Sequence, residues 1–315
     1  LILVVLCFGI LRARHLKASR TASMVASTMV TLTAQPTSTI EPTPTMTITP
    51  SATPQPTATS TPTFTPTPTP DGVTRTLRVP ILMYHYISVP PPDADAVRLD
   101  LSVSPAQFEG HLRYLREAGY VSITLRELAL ALQTGYPLPQ KPVIITLDDG
   151  YRDAFTSAFP LLKQYGFTAT FFILTGLVDE ARPEYLTWEQ LIEMDAAGMD
   201  IEAHGYTHVD LRGKSADYII WQILGAKEAI EARTHKAVRF FCYPAGGYDD
   251  QVARILHSAH YWGAVTSVYG VQQCSERMFE LKRIRVRGAY DAETLGQVIE
   301  LAMTFAGEGP CTTTP

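Results

Sequence analysis

The sequence is short of cysteine, of long apolar runs and of positive charge. Its 315 residues include only four cysteines, too few for a small domain built around disulfides. Its longest unbroken apolar run, residues 1–11, falls well short of the ~20 residues that a membrane-spanning helix needs. Basic residues are outnumbered, 26 against 31 acidic ones. These shortages exclude a disulfide scaffold and leave the N-terminal run as the one candidate for membrane attachment.

Proline, in contrast, is concentrated in one segment. Ten of the 23 prolines lie between Pro36 and Pro70, among Thr, Ser and Ala. This composition cannot bury a core, so it predicts a disordered linker, or stalk, over residues 21–74. Residues 1–20 predict a truncated hydrophobic anchor or signal segment with a basic flank. The folded domain then covers residues 75–306, followed by a tail at 307–315, and we expect it to be extracytoplasmic, either anchored at the cell surface or secreted.

The charge divides at the same place. Residues 1–70 carry four basic side chains and one acidic one, which leaves 22 basic against 30 acidic, or a net charge of −8, for the rest. An acidic domain is repelled by phosphate, so we expect no nucleic acid partner, and a membrane contact only through the N-terminal segment. Two cysteines of the domain, Cys242 and Cys274, either form one bridge or stay unpaired, and the sequence favours unpaired thiols.

Strand-like and helix-like segments alternate through the domain. Capping boxes at Ser104, Thr124 and Thr187 mark helix starts, and glycines end the helices that follow. Six apolar runs have the composition of strands buried on both faces: 80–84, 143–147, 168–174, 199–203, 238–243 and 263–266. Alternation of this kind implies parallel pairing. We therefore predict an α/β fold, a distorted (β/α) barrel, complete or incomplete, with its reactive groups at the C-terminal ends of the strands.

Two of the predicted strands end in polar clusters. Asp148 and Asp149 follow one strand, and their mutual repulsion favours a cation or a proton between them, although Asp-Asp-Gly is also an ordinary turn. His204 and His208 follow another strand and would share one face if the turn between them is helical. Together they offer one carboxylate and two imidazoles, the donor set of a catalytic metal site with open positions, and one Asp is left over to act as a base.

Three segments in this order resemble the first three motifs of the polysaccharide deacetylases, the NodB-homology group of carbohydrate esterase family 4. They are Thr146–Gly150, His204–His208 and Tyr243–Gly246. Residues 80–85 and 108–128 also resemble that family, so the likeness extends over about residues 79–302. It implies a distorted barrel of the NodB-homology type and a divalent metal ion, usually zinc.

The resemblance also implies a role for each residue. By motif position, Asp149, His204 and His208 would bind the metal ion, and Asp148 would be the general base. The third motif would face the substrate and its oxyanion, with a backbone N–H near Tyr243 as donor; its residues are Tyr243, Pro244 and Gly246. The reaction would remove N-acetyl groups from a polysaccharide or oligosaccharide that contains N-acetylglucosamine.

The sequence departs from the family pattern at three motifs. The third often carries an arginine that orients the base, and Cys242 stands in its place. The fourth usually contains Asp-Trp, which residues 261–269 lack. The fifth usually supplies a histidine as general acid, and residues 281–286 contain none. His85, at the end of the first predicted strand, is our candidate for the acid, with a purely packing role as the alternative; the departures resemble a branch with a YPxG third motif.

Two other functions stay open. An O-acetyl esterase, of the kind that acts on xylan, needs a weaker general acid, so the missing histidine does not exclude it. A surface protein that binds glycans without turnover would have no use for a spare base. Because both Asp148 and Asp149 are retained, a metal-dependent N-deacetylase is the leading expectation.

Overall fold

The computed structural model describes residues 69–305. The predicted anchor, most of the predicted linker and the predicted tail lie outside these residues. Contacts with the domain reach back to Asp71, whose N–H donates to the carbonyl of Gln133 (3.1 Å), and to Thr74, whose hydroxyl donates to Glu276 (2.7 Å). The domain thus begins a few residues before residue 75. Within residues 69–305, no helix has both the length and the apolar character needed to cross a membrane.

Each of the six apolar runs contains a strand. The strands of the described residues are β1 (Thr76–Arg78), β2 (Ile81–Tyr84), β3 (Val121–Ser122), β4 (Pro142–Leu147), β5 (Thr170–Ile173), β6 (Asp200–Ala203), β7 (Phe240–Cys242), β8 (Gly263–Tyr269), β9 (Gln272–Cys274) and β10 (Leu281–Arg285). The sequence did not predict β10, because Lys282, Arg283 and Arg285 interrupt its apolar pattern.

Seven of these strands form a closed parallel barrel. Around the ring the order is β2, β10, β8, β7, β6, β5 and β4, and β4 pairs again with β2. β3 pairs with the start of β4, while β1 and β9 form a separate antiparallel pair. The ring is uneven, since β6 and β7 align at a single pair, Ala203 with Phe241. The predicted distorted barrel is confirmed, and the C-terminal ends of its strands lie on one rim.

Helices surround the barrel, and a π-helical turn at Ala154–Ala158 precedes the fourth of them. The helices of the described residues are α1 (Ala96–Leu101), α2 (Pro105–Glu117), α3 (Leu125–Thr134), α4 (Phe159–Tyr165), α5 (Thr175–Asp179), α6 (Trp188–Ala196), α7 (Ala216–Thr234), α8 (Asp250–Ser258) and α9 (Ala292–Thr304). All three predicted capping boxes form, each with its pair of reciprocal hydrogen bonds, at the starts of α2, α3 and α6.

Alternate strand residues pack into two apolar clusters. One contains Leu82 and Ile145 and joins the strands to the surrounding helices. The other contains Ile81 and Ile144, fills the barrel interior, and includes leucines of α3 such as Leu128. Buried polar side chains do occur directly after the strands, among them Asp148 and Asp149 after β4 and His204 after β6.

The two cysteines of the barrel and its neighbouring sheet differ in state. Cys242 is a free and fully buried thiol. Cys274 is disulfide-bonded. The bridge between Cys242 and Cys274 is therefore not formed, and the expectation that both thiols are unpaired is wrong for Cys274.

Candidate active site

A cavity of about 650 Å³ opens at the C-terminal rim of the barrel. Five polar side chains singled out from the sequence line it: Asp148 and Asp149 after β4, His204 and His208 after β6, and His85 after β2. This volume is in the range of binding sites for small molecules and cofactors. The structure therefore brings together the side chains that the sequence placed at three separate strand ends.

A sharp turn at the end of β4 presents Asp149 to the cavity. Asp149 has a φ of 71°, in the left-handed region that is uncommon for residues with a Cβ. Gly150 follows with a φ of 72°, and a Cβ there would lie 3.3 Å from the side chain of Ile173. Two successive residues in the left-handed region turn the backbone sharply after β4. Backbone strain of this kind is often found at functional sites.

The three predicted metal ligands converge. Oδ1 of Asp149 lies 3.2 Å from Nε2 of His204 and 3.6 Å from Nε2 of His208. The three donor atoms all lie within 4.8 Å of one another. Zinc bonds of about 2.0–2.1 Å at tetrahedral angles hold two ligands about 3.4 Å apart. The spacing of these atoms therefore fits a single ion.

The hydrogen bonds of the site also fit an ion. Nδ1 of His204 lies 2.7 Å from the carbonyl oxygen of Cys242, so this nitrogen carries a proton and donates it. Nε2 of His204 can then offer a lone pair towards Asp149. Oδ1 of Asp149 is buried and has no hydrogen-bond partner among the described residues. An orphaned carboxylate oxygen that faces an imidazole lone pair is satisfied by a cation.

The charges around Asp149 point the same way. Burial alone would lower the pKa of His204, but its contacts with Cys242, including the hydrogen bond to the carbonyl, and with the Asp149 carboxylate raise it well above its usual value. Burial alone would raise the pKa of Asp149, but His204 and the other nearby histidines hold it below its usual value. The more exposed His208 has a lowered pKa, through burial and the neighbouring His204. A positive charge, whether a proton or a metal ion, is favoured between Asp149 and His204.

A second set of side chains among the described residues also has the spacing of a metal site: Asp148, His204 and Cys242. Two of its members already have partners. Arg283 donates two hydrogen bonds to Asp148, and the thiol of Cys242 lies 3.4 Å from the same carboxylate as a donor. Burial raises the pKa of Cys242, which keeps it protonated. The set around Asp149 is the better candidate for the ion.

Arg283, on β10, is a site residue that the motifs of the sequence did not reveal. Its side chain is 1% exposed, and it binds both oxygens of Asp148, with Nη1 and Nη2 each at 2.8 Å. Nη2 of Arg283 also lies 3.3 Å from the sulfur of Cys242. The small thiol leaves room for the guanidinium at the place where the family motif often has its arginine. The signal was present in residues 281–286, since a strand's alternation buries Arg283 with Leu281 and a buried arginine needs an anion.

Arg283 fixes the charge and the orientation of Asp148. Burial alone would raise the pKa of Asp148, but the guanidinium holds it well below its usual range. Arg283 is itself anchored, since it donates to the hydroxyl of Thr146 (3.1 Å) and to the carbonyl of Thr266 (2.8 Å). Asp148 is therefore ionised at neutral pH and held in one orientation. The same guanidinium weakens it as a base, because a proton acceptor works best with a pKa near the operating pH.

His85 is the third group beside Asp148. Its Nε2 lies 3.9 Å from Oδ2 of Asp148, too far for a hydrogen bond, and its side chain faces the cavity. Its Nδ1 is buried without a partner among the described residues. Burial lowers the pKa of His85, although Asp148 and Asp149 oppose that shift. The position suits proton transfer to a group bound in the cavity.

The third motif lies at the cavity, which Tyr243, Ala245 and Gly246 help to line. The hydroxyl of Tyr243 points away and donates to the carbonyl of Phe279 (3.0 Å). The N–H of Tyr243 donates to the carbonyl of Val265 (3.3 Å), and that of Gly246 donates to the carbonyl of Tyr243 (2.8 Å). Pro244 has no N–H to offer. The N–H of Tyr243 itself is therefore engaged within the fold, and a backbone donor to the oxyanion near Tyr243 stays a prediction.

Three tyrosines form one wall of the cavity. The rings of Tyr86 and Tyr151 stack with centroids 3.7 Å apart, and Tyr185 lies 5.2 Å from Tyr151. The guanidinium of Arg98 covers Tyr86, 3.1 Å from the ring centroid. Tyrosine combines an apolar ring face with a polar hydroxyl. A wall of this kind suits a sugar ring, which also has an apolar C–H face and hydroxyls at its edge.

Comparison with known proteins decides the family. The sequence model of the family described as polysaccharide deacetylase matches residues 135–264. The Bacillus subtilis (strain 168) protein YxkH, named after the same family, is 31% identical over 223 residues, which cover 71% of this chain and 76% of that protein. The chain belongs to the polysaccharide deacetylase family.

Two further relatives of this polysaccharide deacetylase are informative. The solved structure of the Streptococcus pyogenes deacetylase PplD, in complex with acetate, matches with a TM-score of 0.67 and 30% identity, over 71% of this chain and 99% of that one. The poly-β-1,6-N-acetyl-D-glucosamine N-deacetylase of Staphylococcus aureus (strain MSSA476) is 28% identical over 173 residues, 50% of this chain and 58% of that protein. The barrel is thus that of a deacetylase, a hydrolase of acetylated carbohydrate.

Proposed function

We propose that this deacetylase removes N-acetyl groups from N-acetylglucosamine within a polysaccharide, using a zinc ion held by Asp149, His204 and His208. The observation that carries the proposal is the convergence of these three donors beside an ionised carboxylate, in an open cavity with an aromatic wall. The name of the S. aureus relative gives poly-N-acetylglucosamine as its substrate, and acetate, bound by PplD, is a product of such a reaction.

The residues of the cavity divide the reaction between them. A bound divalent ion would polarise the acetyl carbonyl and lower the pKa of water towards ~7. Asp148, kept ionised by Arg283, accepts the proton of the attacking water. His85, 3.9 Å from Asp148, donates a proton to the departing amine. An amine is a poor leaving group without that proton, so the acid is as necessary as the base.

O-deacetylation, the second candidate, is favoured by the state of His85. Burial lowers the pKa of His85, so a smaller fraction of it is protonated at neutral pH. An ester makes less demand on a general acid than an amide does. Glycan binding without turnover is supported less, because the Asp148–Arg283 pair preserves a base that binding alone does not require.

A panel of acetylated glycans tests the function. Acetate release would be measured on β-1,6- and β-1,4-linked N-acetylglucosamine oligomers and on acetylated xylan, with chelator and after adding zinc. We expect release from an N-acetylglucosamine oligomer, lost with chelator and restored by zinc. Faster release from xylan would favour the esterase. Binding without release from any of them would contradict the enzyme assignment.

The role of His85 can be separated from that of Asp148 by the leaving group. His85→Ala should lower kcat on the acetamide by about 10²–10⁴-fold, yet have little effect on p-nitrophenyl acetate, whose phenolate leaves without a proton. Asp148→Asn is the matched control, since it should slow both substrates. Equal losses on both substrates for His85→Ala would contradict its role as the acid.

We also propose that the enzyme works outside the cytoplasm, anchored at the cell surface or secreted. The proposal rests on the Thr/Pro-rich residues 21–70 and on the apolar residues 1–11. Protease treatment of intact cells should remove an anchored protein, and culture medium should contain a secreted one. Recovery of the whole protein inside protease-treated cells would contradict it.

A further inference from the structure

The loop between the two histidines of the site is not helical. From the HxxxH spacing, His204 and His208 would share one face if the turn between them were helical. Instead, residues 204–210 form neither helix nor strand, and Gly205 has a φ of 96°, which an α-helix excludes. Helical hydrogen bonds therefore do not shape this loop. Other contacts must hold it so that both imidazoles face Asp149.

Gln222, on α7, supplies the central contacts. Its side-chain oxygen accepts the backbone N–H groups of Tyr206 and Thr207, each at 2.9 Å. Its side-chain nitrogen donates to Oγ1 of Thr207 (2.8 Å) and to the hydroxyl of Tyr218 (3.1 Å). The side chain is 0% exposed, and all four of its hydrogen-bonding positions are used. Because a backbone N–H can only donate, the orientation of this amide follows from the network.

The other side of the loop is held by α5. The N–H of Thr175 donates to the carbonyl of Gly205 (3.2 Å), and that of Gly176 donates to the carbonyl of Tyr206 (2.8 Å). Neither of these two hydrogen bonds involves Thr207. Among the described residues, the N–H and the hydroxyl of Thr207 bond only to Gln222. Gln222 is thus the group that fixes the residue immediately before His208.

We propose that Gln222 is the positioning residue for His208 and thereby sets the affinity of the site for its metal ion. The inference rests on the proposed ligand set. His204 is buried and tied to the carbonyl of Cys242, whereas the side chain of His208 is 44% exposed. Packing alone therefore holds the side chain of His208 weakly, and the orientation of its imidazole depends on the loop. Partners outside the ligand shell typically change metal affinity by 10–100-fold.

Zinc affinity of the full chain, measured by competition with a chromophoric chelator, tests the proposal. Gln222→Met has similar volume and loses all four hydrogen bonds, so its zinc Kd should rise by about 10–100-fold. Gln222→Glu keeps an oxygen for both backbone N–H groups, so its Kd should rise less. Gln273→Met is the control: Gln273 is 1% exposed and bonds to the backbone of Val79 and Lys282, away from the loop. It should lose stability and keep its zinc affinity.

The outcomes separate the proposal from the ligand assignment. Unchanged zinc affinity in Gln222→Met, while Asp149→Ala loses zinc, overturns the role of Gln222 alone. Normal zinc binding by Asp149→Ala overturns the ligand assignment and this proposal with it. Equal loss in Gln222→Met and Gln273→Met overturns it as well, because the effect would then be general. If Gln222→Met does not fold, Thr207→Val, which removes one bond of the network, must raise the Kd, and no change in that variant overturns the proposal.

Discussion

Asp148 and Arg283 form a buried pair whose two members come from distant parts of the chain. They are 135 positions apart in sequence, directly after β4 and on β10, and both are almost completely buried. The pair brings a guanidinium to the proposed base without an arginine in the third motif, where Cys242 stands. A buried ion pair of this type depends on both members, because the loss of one leaves the other as an uncompensated charge.

Removal of the arginine alone should therefore lower the free energy of unfolding more than removal of both members of the pair. We expect Arg283→Met to lower the free energy of unfolding by about 3–5 kcal/mol and to abolish most turnover. Urea unfolding at pH 7 would measure this, with the double variant Arg283→Met, Asp148→Asn as the control. The double variant should be more stable than Arg283→Met alone. A double variant that is no more stable would mean that lost packing, not the stranded charge, causes the effect.

Local spacing predicted some residues of the site and missed another. Asp148, Asp149, His204 and His208 each sit next to a recognisable strand end, so their convergence could be inferred from the sequence alone. Arg283 lies within a strand rather than at a strand end, and its partner follows another strand. Only the physical demand that a buried arginine be paired pointed to it, and that demand does not name the partner.

At the scale of elements, the pairing between β6 and β7 is the shortest in the barrel ring, and we call it the seam. These strands align at one residue pair, and Glu202 bridges the gap: one of its oxygens accepts the N–H groups of Arg239 and Phe240, both at 2.8 Å. The seam matters for the site because β6 leads to His204 and β7 ends at Cys242. Burial raises the pKa of Glu202 to about 8.

This pKa gives stability a defined pH dependence. A glutamate in an unfolded chain has a pKa of about 4.3, so between about pH 4 and pH 8 the folded state holds a proton that the unfolded state has lost. The contribution of Glu202 to stability therefore falls as pH rises through this window. Glu202→Gln keeps an acceptor oxygen and cannot ionise. We expect its thermal midpoint to match that of the wild type near pH 4 and to exceed it at pH 8.

Asp200 also contributes to the dependence of stability on pH. Burial raises its pKa to about 6, so it adds a dependence of the same sign at lower pH. The difference between wild type and Glu202→Gln at each pH is therefore the quantity to compare. A difference that stays constant from pH 4 to pH 8 would show that folding does not raise the pKa of Glu202.

The sequence was more informative about helices than about the loop that joins His204 and His208. The starts of α2, α3 and α6 were predicted from capping boxes, because that signal lies within four consecutive residues. From the HxxxH spacing, both histidines would share one face if the turn between them were helical, but the turn is not helical. Gly205 allows a left-handed conformation there, and the stabilising partner, Gln222, comes from a helix later in the chain. Neither fact is visible in the spacing of the histidines.

At the scale of the whole molecule, the acidic domain and the Thr/Pro-rich segment before it are predicted to act independently. The composition of residues 21–68 cannot bury a core. Deletion of residues 1–68 should therefore leave the thermal midpoint and the turnover of a soluble acetylated oligosaccharide nearly unchanged. Both would be compared with the full chain under identical conditions. A large loss of either quantity in the truncated protein would show that the segment packs on the domain.

The central claim is that neighbouring carboxylates have different tasks, Asp149 as a metal ligand and Asp148 as the base. The most direct measurement is bound zinc per chain together with kcat on one acetylated oligosaccharide, for Asp148→Asn and Asp149→Ala. Asp148→Asn should keep the zinc and lose about 10²–10⁴-fold in kcat, since an amide cannot accept the proton of water. Asp149→Ala should lose zinc. Near-normal turnover by Asp148→Asn, or loss of zinc in that variant with normal zinc in Asp149→Ala, would contradict this division of roles.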